Sequence, residues 1–493
     1  MKKVFLLLLA VVWQAGSARA QARPGPETFV IYNVTVIDAT GAPAQSGVTV
    51  VVKGDHIAGI FKSRGFRDQK STAFSIDGTG KFLIPGLWDM HVHLAQPNTS
   101  KWGREVFLPL FVANGVTGVR DMGGDFAALV QWRAQIEQGT LLGPRIVAAG
   151  AALDGPPDEP DASTIVVRNA AEAREAVAAQ KQRGVDFIKV LSFPPRDAYF
   201  AVAEEARRRG LPFAGHLPES IRGIEASEAG QRSIEHFSGI WQNCSRRETE
   251  MRNASIAAIS NPDANPALIE RIDFDLPPRG AFESYDKEKA NRLFAVFAKN
   301  GTWMVPTFVT ERGVELLVAN RYPEDDPRLR YIPAALQTSW RDLNLPKKLA
   351  PEDLADLSQY CEKNLSLVAL MHRAGVKFLA GTDSPYPPLP GFSLHEELGL
   401  MVEGGLTPME ALQTATLNPA KFFGMEDRLG TVEKGRLADL VLLDANPLDD
   451  IRNTQKIAAV IVNGRYLSRA ELDRILASVE TAARVATSTG RAF

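Results

Sequence analysis

The sequence predicts an α/β protein, a (β/α)8 TIM barrel with a small β-sandwich domain formed by the N- and C-terminal segments. Three observations predict this fold. Short apolar runs alternate with helical patterns through the middle of the chain, eight such runs can be counted, and β-rich sequence stands at both ends. Strand–helix alternation at this spacing is typical of βαβ units and a parallel sheet. Eight units are enough to close a barrel, and an open doubly wound sheet is the alternative.

The first twenty residues have the order of a secretory signal peptide. Lys2 and Lys3 supply positive charge, residues 4–12 form an apolar run, and residues 18–20 form a small-x-small cleavage site. We therefore expect cleavage after Ala20 and export to the periplasm or the medium, with an uncleaved anchor as the alternative. The apolar run is shorter than the about 20 residues that a membrane span needs, so we expect no stable membrane insertion after cleavage.

β-rich sequence at both ends predicts the small domain. Strand-like runs occupy residues 29–32, 34–37, 48–52, 56–61, 439–444 and 458–462. The pair Gly54-Asp55 is a hairpin signal between two of these runs, and the turn pair Asn463-Gly464 follows the last of them. The economical arrangement joins residues 21–84 and residues 425–470 into one β-sandwich.

The middle of the chain, residues 85–424, is predicted to form the barrel. Its apolar runs lie at residues 82–87, 115–120, 145–149, 186–190, 212–215, 233–235, 303–306 and 377–380. Helical patterns lie between them, for example at 170–183, 196–209 and 354–374. Two irregular stretches, between His236 and Trp303 and at residues 321–352, are expected to rim the barrel mouth. Residues 471–493 are predicted to form a helical tail.

The composition is that of an ordinary globular protein and excludes a nucleic-acid partner. Of the 493 residues, 45% are hydrophobic and 23% charged, and the formal net charge is -2, so the basic footprint of a nucleic-acid binder is missing. The predicted partner is a small-molecule substrate, and a homo-oligomer is allowed. The two cysteines, Cys244 and Cys361, form neither a disulfide framework nor a thiolate zinc site, and we predict free thiols.

The first candidate metal ligands are His91 and His93, which surround Val92 at the carboxyl end of the first barrel strand. Residues i and i+2 on a strand point to the same face, so the two imidazoles can hold one ion. This position is informative because active sites of such barrels lie at the carboxyl ends of the strands.

Further candidates stand at the ends of later strands. His216 follows the fifth strand, His236 follows the sixth, and Asp383 follows the eighth. Each of these residues alone is more often a hydrogen-bonded structural residue than a ligand. Because four of the seven histidines and an aspartate converge on the same end of the barrel, the joint pattern predicts a metal site.

Lys189 lies within the apolar fourth strand, where a lysine is usually an edge residue whose ammonium reaches water. A buried ammonium cannot bind a cation and is costly to desolvate. If its amine reacts with carbon dioxide, the resulting carbamate is a carboxylate that can bridge two divalent ions with a hydroxide between them. We therefore predict a carbon dioxide-derived carbamate on Lys189.

The predicted cofactors are two divalent metal ions, with zinc favoured by the imidazole and carboxylate ligands. One ion would be held by His91, His93 and Asp383, and the other by His216 and His236. Asp383 is also the predicted catalytic residue, because its carboxylate can accept the proton of the attacking water as a general base.

This arrangement resembles the amidohydrolase superfamily over nearly the whole mature chain, from about residue 28 to residue 467. The resemblance rests on Ile84-Pro85-Gly86-Leu87-Trp88-Asp89-Met90-His91-Val92-His93, on Gly215-His216, on Glu235-His236, on Gly381-Thr382-Asp383-Ser384 and on residues 430–441. It implies that the metal positions of the family fall on His91, His93, Lys189, His216, His236 and Asp383. The run 430–441 looks like the return of the chain into the small β-sandwich.

Within the superfamily the chain looks closest to the imidazolonepropionase-like and Xaa-Pro dipeptidase-like branch, on the evidence of residues 184–190 and 115–121. It departs from the dipeptidase-like pattern after the fourth strand, where residues 191–196 replace a small, glycine-rich loop. Arg196, Tyr199 and Tyr386 are candidate substrate-binding residues near the mouth.

The leading hypothesis is an exported metal-dependent amidohydrolase that cleaves an amide-type C–N bond by attack of a metal-bridging hydroxide. The substrate would be a small peptide, an N-acyl amino acid or a cyclic amide. A lactonase or ester hydrolase could use the same dinuclear cage. A mononuclear deaminase is a further alternative that would not use Lys189, and a non-enzymatic binding protein is the third.

Overall fold

The computed structural model describes residues 28–63, 74–319, 321–342 and 350–488. The predicted signal peptide, residues 1–20, lies outside the described residues. Within the described part of the chain, no helix is both long and apolar enough to cross a membrane.

The small β-domain is built from both ends of the chain. Its strands, among the residues described, are Thr28–Val36, Gln45–Lys53, His56–Lys62, Phe74–Asp77, Phe82–Pro85, Leu440–Leu443, Ile457–Val462 and Arg465–Ser468. They pair into one continuous sheet in which Phe82–Pro85 joins the two terminal segments by antiparallel pairing with Leu440–Leu443. Side chains from both segments share one apolar core that includes Ile31 and Leu440. The joining of the two ends is confirmed.

The barrel strands alternate with helices as predicted. They are Leu87–Val92, Val116–Asp121, Arg145–Ala148 with its continuation Ala152–Asp154, Ile188–Val190, Phe213–Gly215, Ser233–Glu235 and Trp303–Val305. The eighth segment closes the ring, because Phe378 bridges to Met304 on one side and Ser384 bridges to Val92 on the other. The predicted TIM barrel is therefore confirmed.

One strand assignment is wrong. The first barrel strand is Leu87–Val92, whereas the apolar residues Phe82–Pro85 belong to the sheet of the small β-domain. The sequence is apolar without interruption across this boundary, so periodicity does not reveal it. Gly86 separates the two strands, and a Cβ there would lie 2.1 Å from the Thr117 hydroxyl oxygen, so the chain can pass only without a side chain.

The helices cover the outside of the barrel and build its insertions. α-Helices span Ser100–Trp102, Leu108–Ala113, Phe126–Glu137, Ala170–Arg183, Arg196–Arg208, Gly223–Glu228, Ile240–Asn243, Glu248–Ser260, Pro266–Asp273, Lys287–Asn300, Phe308–Val318, Ala334–Asp342, Pro351–Arg373, Phe392–Glu403, Pro408–Thr414, Leu417–Phe423 and Arg469–Ser488. A π-helical turn covers Gly103–Phe107, and 3-10 helices cover Pro262–Ala264, Pro327–Tyr331 and Ile451–Gln455. Helix boundaries follow local signals, since Asn169 caps Ala170–Arg183 and Gly184 ends it at φ +86°.

The segment between His236 and Trp303, called the first insertion below, packs over the barrel mouth. Its helix Pro266–Asp273 is held by buried Arg271, which pairs with Asp353 on the long helix Pro351–Arg373. Breaking a buried pair of this kind is strongly destabilising, since one charge remains uncompensated. The contact therefore fixes the insertion relative to the barrel.

Cys244 and Cys361 are buried and unbridged, so the expected free thiols are confirmed. Burial raises the pKa of both thiols above the ordinary value. They are therefore inert packing residues rather than reactive groups.

Substitution of Gly215 tests how closely the fifth barrel strand packs against the fourth. Its φ is +136°, and a Cβ would lie 2.0 Å from the carbonyl oxygen of Val190. We expect Gly215→Ala to lower the free energy of unfolding by about 2–6 kcal/mol, from backbone strain and overpacking together. Urea denaturation measures this loss. Gly399→Ala is the control, because a Cβ there meets nothing within 4 Å, and equal stability of the two variants would contradict the model of the strand.

Candidate metal centre

The carboxyl ends of the strands bring the predicted ligands together. The imidazole centroids of His91 and His236 are 4.5 Å apart, those of His216 and His236 are 5.0 Å apart, and those of His91 and His93 are 5.4 Å apart. One group that could hold an ion consists of His91, His236 and Asp383, whose ligand atoms all lie within 4.8 Å of one another.

Hydrogen bonds at Nδ1 fix the tautomers of His91 and His93. The Nδ1 of His91 donates to a carboxylate oxygen of Glu235 at 2.9 Å, and that of His93 donates to the carbonyl oxygen of Gly123 at 3.1 Å. Each Nε2 therefore carries a lone pair. The Nε2 of His91 is buried without a hydrogen-bond partner among the described residues, which is the state expected of a metal ligand.

Thr307 orients His236 in the same way. The Thr307 hydroxyl donates to the carbonyl oxygen of Pro306 at 2.7 Å, so its oxygen accepts from the Nδ1 of His236, also at 2.7 Å. The Nε2 of His236 is left as the lone-pair nitrogen. His216 differs in that the partner of its Nδ1 is a hydroxyl that can donate as well as accept, the Ser192 hydroxyl at 2.9 Å, so this contact does not fix its tautomer.

A buried cation, Arg120, holds the carboxylate of Glu235 in place. Neither residue is among the site residues predicted from the sequence. Arg120, which is fully buried, donates from Nη2 to both oxygens of Glu235 at 2.8 and 3.0 Å. The Ser233 hydroxyl donates to the same carboxylate at 2.6 Å. The only sequence signal is the adjacency of Glu235 to His236, and nothing local links either residue to Arg120.

Asp383 faces both histidines of the first strand. Its Oδ1 is 3.1 Å from the Nε2 of His93 and 3.4 Å from the Nε2 of His91. Ligand atoms about 2.0–2.1 Å from a tetrahedral zinc ion lie about 3.3 Å from one another. Two lone-pair atoms at this separation repel each other unless a cation or a proton lies between them. The donor set therefore fits a divalent ion.

Lys189 is buried with 1% of its surface exposed, and within the described chain its ammonium has no hydrogen bond or salt bridge. Burial lowers its pKa, while the charges of Glu235 and Asp383 oppose that shift. A buried charge is normally paired. The neutral amine is the form that can react with carbon dioxide, and a carbamate would turn this unpaired group into an anionic ligand.

Asp275 reaches the site from the first insertion and was not predicted. Its Oδ1 lies 3.4 Å from the Nδ1 of His216, and with His216 and His236 it forms a second group that could hold an ion. Burial raises the pKa of Asp275 to about 8. No sequence pattern marks this residue, because it lies in an irregular loop far along the chain from both histidines.

Burial keeps most of the imidazoles neutral, which is the form that binds metal. It holds the pKa of His91 and of His216 well below the ordinary value and lowers the pKa of His236 to about 3. Burial also acts to lower the pKa of His93, but contact with Asp383 outweighs it, so the net shift is upward.

The structure places only one of the three candidate substrate-binding residues beside the centre. Tyr386 is partly buried, with its ring centroid 6.2 Å from that of His93. Tyr199 is fully buried and donates to Gln231, so its predicted contact with substrate is wrong. The guanidinium of Arg196 is already paired with both oxygens of Glu225, and the structure does not bring it to the centre.

The model of the amidohydrolase family matches residues 82–467 of the chain. Among curated proteins, ochratoxinase of Aspergillus niger is 23% identical over 489 residues, covering 87% of this chain and 84% of the relative. The match spans the barrel and part of the small β-domain.

Solved structures of related folds superpose over most of the chain. A Xaa-Pro dipeptidase with bound methionine has a TM-score of 0.63 at 23% identity and covers 90% of this chain and 100% of its own. A bottromycin amidohydrolase has a TM-score of 0.70 at 22% identity, covering 94% and 92%. At these identities the likeness concerns the fold.

Removing the hydroxyl that orients His236 should weaken metal binding. We expect Thr307→Val to lower the affinity for the zinc ion that His236 would bind about 10- to 100-fold, because the tautomer of His236 is no longer fixed. Competition with a chelator measures this affinity. Thr414→Val removes another buried hydroxyl, bonded to its own helix at Ala411, and should leave zinc affinity unchanged. An equal effect of both variants would contradict the orienting role of Thr307.

The metal-free protein should lose stability in acid. Because the pKa of His236 is about 3 when folded and about 6.5 when unfolded, the unfolded state binds more protons below pH 6.5. This stabilisation is present above pH 6.5 and is lost as the pH falls, by about 2 kcal/mol between pH 8 and pH 5. Urea denaturation of the metal-free protein at both values tests this expectation. His236→Asn should remove that part of the loss, and identical pH dependence of variant and wild type would contradict it.

Proposed function

The chain belongs to the amidohydrolase family, and we propose that it is an exported, metal-dependent hydrolase that cleaves an amide-type C–N bond in a small molecule. The observation that carries the proposal is the convergence of His91, His236 and Asp383 around the unpartnered Nε2 of His91. Histidine and carboxylate groups at the carboxyl ends of barrel strands are typical of metal-dependent catalysis in this fold.

The ligand assignment is the one expected from the sequence, and His236, which belongs to both groups of side chains in the structure, lies between the two ions in it. His91, His93 and Asp383 would hold one zinc ion, and His216 and His236 the other, with Lys189 bridging them as a carbamate. The contacts of 3.1 and 3.4 Å to Asp383 and the unpaired, buried Lys189 support this assignment. When bound, the two divalent ions polarise the substrate carbonyl and make water nucleophilic near neutral pH.

The proton transfers fall to Asp383. Burial acts to raise its pKa, but contact with His93 lowers it below the ordinary value overall, so the carboxylate is ionised and can accept a proton. As a C–O bond forms between water and the carbonyl carbon, Asp383 takes the proton of the water. When the C–N bond breaks, the same proton goes to the leaving nitrogen, which restores the carboxylate.

The substrate class is proposed as a small peptide, an N-acyl amino acid or a cyclic amide. The names of the similar proteins, an ochratoxinase and a Xaa-Pro dipeptidase, support a search among compounds with an amide bond. Tyr386, half-buried beside His93, is the candidate contact for a polar group of the substrate. The unpaired Lys189 favours this reading over a mononuclear deaminase, which would have no use for it.

Export is proposed from the sequence of the first twenty residues, which has the charge, apolar run and cleavage site of a signal peptide. N-terminal sequencing of the protein secreted into the periplasm or medium tests this part. A mature chain beginning at Gln21 supports it, and an intact Met1 on the cytoplasmic side contradicts it.

The function is tested with a panel of dipeptides, N-acyl amino acids, cyclic amides, lactones and esters after loading with zinc. We expect turnover of amides and a loss of at least about 1,000-fold in kcat/KM for Lys189→Ala, together with loss of bound zinc, because the bridge between the ions is removed. The matched control is Lys181→Ala, which changes an exposed lysine of helix Ala170–Arg183.

Different outcomes of this panel separate the alternatives. Turnover of lactones or esters alone would replace the amide assignment with ester hydrolysis on the same cage. Full activity of Lys189→Ala would contradict the dinuclear centre. Bound zinc without turnover of any compound would indicate a binding protein.

A further inference from the structure

We propose that Asp275, supplied by the first insertion, is a direct ligand of the second metal ion, beside His216 and His236. The inference rests on the two-ion centre of the proposed function and adds a residue that lies outside the barrel strands. It would make the first insertion part of the metal site rather than only a cover for the mouth.

The donor atoms of Asp275 and His216 have the separation expected of neighbouring metal ligands. The Oδ1 of Asp275 lies 3.4 Å from the Nδ1 of His216, the same distance that separates Asp383 from the Nε2 of His91. Adjacent ligands of a tetrahedral zinc ion lie about 3.3 Å apart. The ligand atoms of Asp275, His216 and His236 all lie within 4.8 Å of one another. Both candidate ions therefore have one carboxylate at the same spacing from an imidazole nitrogen.

The loop that carries Asp275 is fixed in place by hydrogen bonds to its backbone. The Tyr360 hydroxyl lies 2.9 Å from the carbonyl oxygen of Asp275 and 3.1 Å from that of His236, so it can donate one bifurcated hydrogen bond to both carbonyl groups. Arg271 donates to the carbonyl oxygen of Pro277 two residues further along.

The buried ion pairs behind the loop reinforce this placement. Asp353, only 1% exposed in its side chain, accepts from both Arg271 and Arg279, which flank Asp275 in sequence. The long helix Pro351–Arg373 thus holds the loop through Asp353 at one point and through Tyr360 at another. The carboxylate of Asp275 is therefore held at the site by anchors on both sides of it.

The consequence is a pair of ions with matching protein ligands. With Asp275, the second ion would have two imidazoles, the Lys189 carbamate and a further carboxylate, the same ligand types that the first ion would have from His91, His93, Lys189 and Asp383. We therefore expect the second ion to be retained in the presence of a chelator and to depend on Asp275 for that retention. The alternative role for Asp275, pairing with a cationic group of the substrate, predicts no effect on metal binding.

The test measures metal and needs no substrate, so its outcome is independent of the substrate panel. Zinc titration and elemental analysis should give two ions in the wild type and in Asp263→Asn, which removes an exposed carboxylate of the same insertion. In Asp275→Asn we expect the affinity for the second ion to fall at least about 10-fold while the first ion is retained. Unchanged binding of both ions in Asp275→Asn would overturn the proposal.

A second variant gives a direct signature and guards against misfolding. Asp275→Cys loaded with cobalt(II) should show the near-ultraviolet sulfur-to-cobalt charge-transfer band, which requires a thiolate bound to the ion. The buried thiols Cys244 and Cys361 are present in the wild type, so cobalt-loaded wild type supplies the baseline. A folded variant that binds two cobalt ions without this additional band would overturn the proposal.

Discussion

The centre depends on one buried guanidinium. Arg120 lies in the second barrel strand, where it is fully buried, and donates to the carbonyl oxygen of Met90, to Ser233 and to Glu235. It therefore links the first, second and sixth strands and holds the carboxylate that accepts the hydrogen bond from Nδ1 of His91. Without this cation, the buried Glu235 would not be held as an acceptor, and the tautomer that leaves the Nε2 of His91 free would not be fixed.

The residues around the centre are held in strained conformations. His236, Thr307 and Asp383 each have φ near +55°, although none of them is glycine. Each such residue costs about 1–3 kcal/mol, which only the surrounding packing can offset. Packing of the short barrel strands against the surrounding helices offsets this conformational free energy. The result is a set of donor atoms that is already in place and needs little rearrangement to receive an ion.

The errors of the sequence-based predictions have physical causes. Tyr199 lies in the first turn of its helix, so its position in the sequence is compatible with the barrel mouth. The packing of neighbouring segments buries its ring in the core instead, where its hydroxyl donates to Gln231. Arg196 is neutralised by Glu225, which lies 29 residues further along the chain. The apolar strand Phe82–Pro85 is predicted to lie in the barrel but lies in the small β-domain, because apolar sequence alone does not indicate which of two sheets buries it.

The barrel, its joined terminal segments and the side chains at the strand ends could be predicted from the sequence, because strand–helix periodicity is local and parallel strands bring their carboxyl ends to one face. The nitrogen of each histidine that is engaged in a hydrogen bond, by contrast, depends on the folded structure. The contact between His91 and Glu235 spans 144 residues, and that between His216 and Asp275 crosses from a strand end to an irregular loop. Such contacts have no local signal, since packing of distant segments alone brings their donors within 3–4 Å.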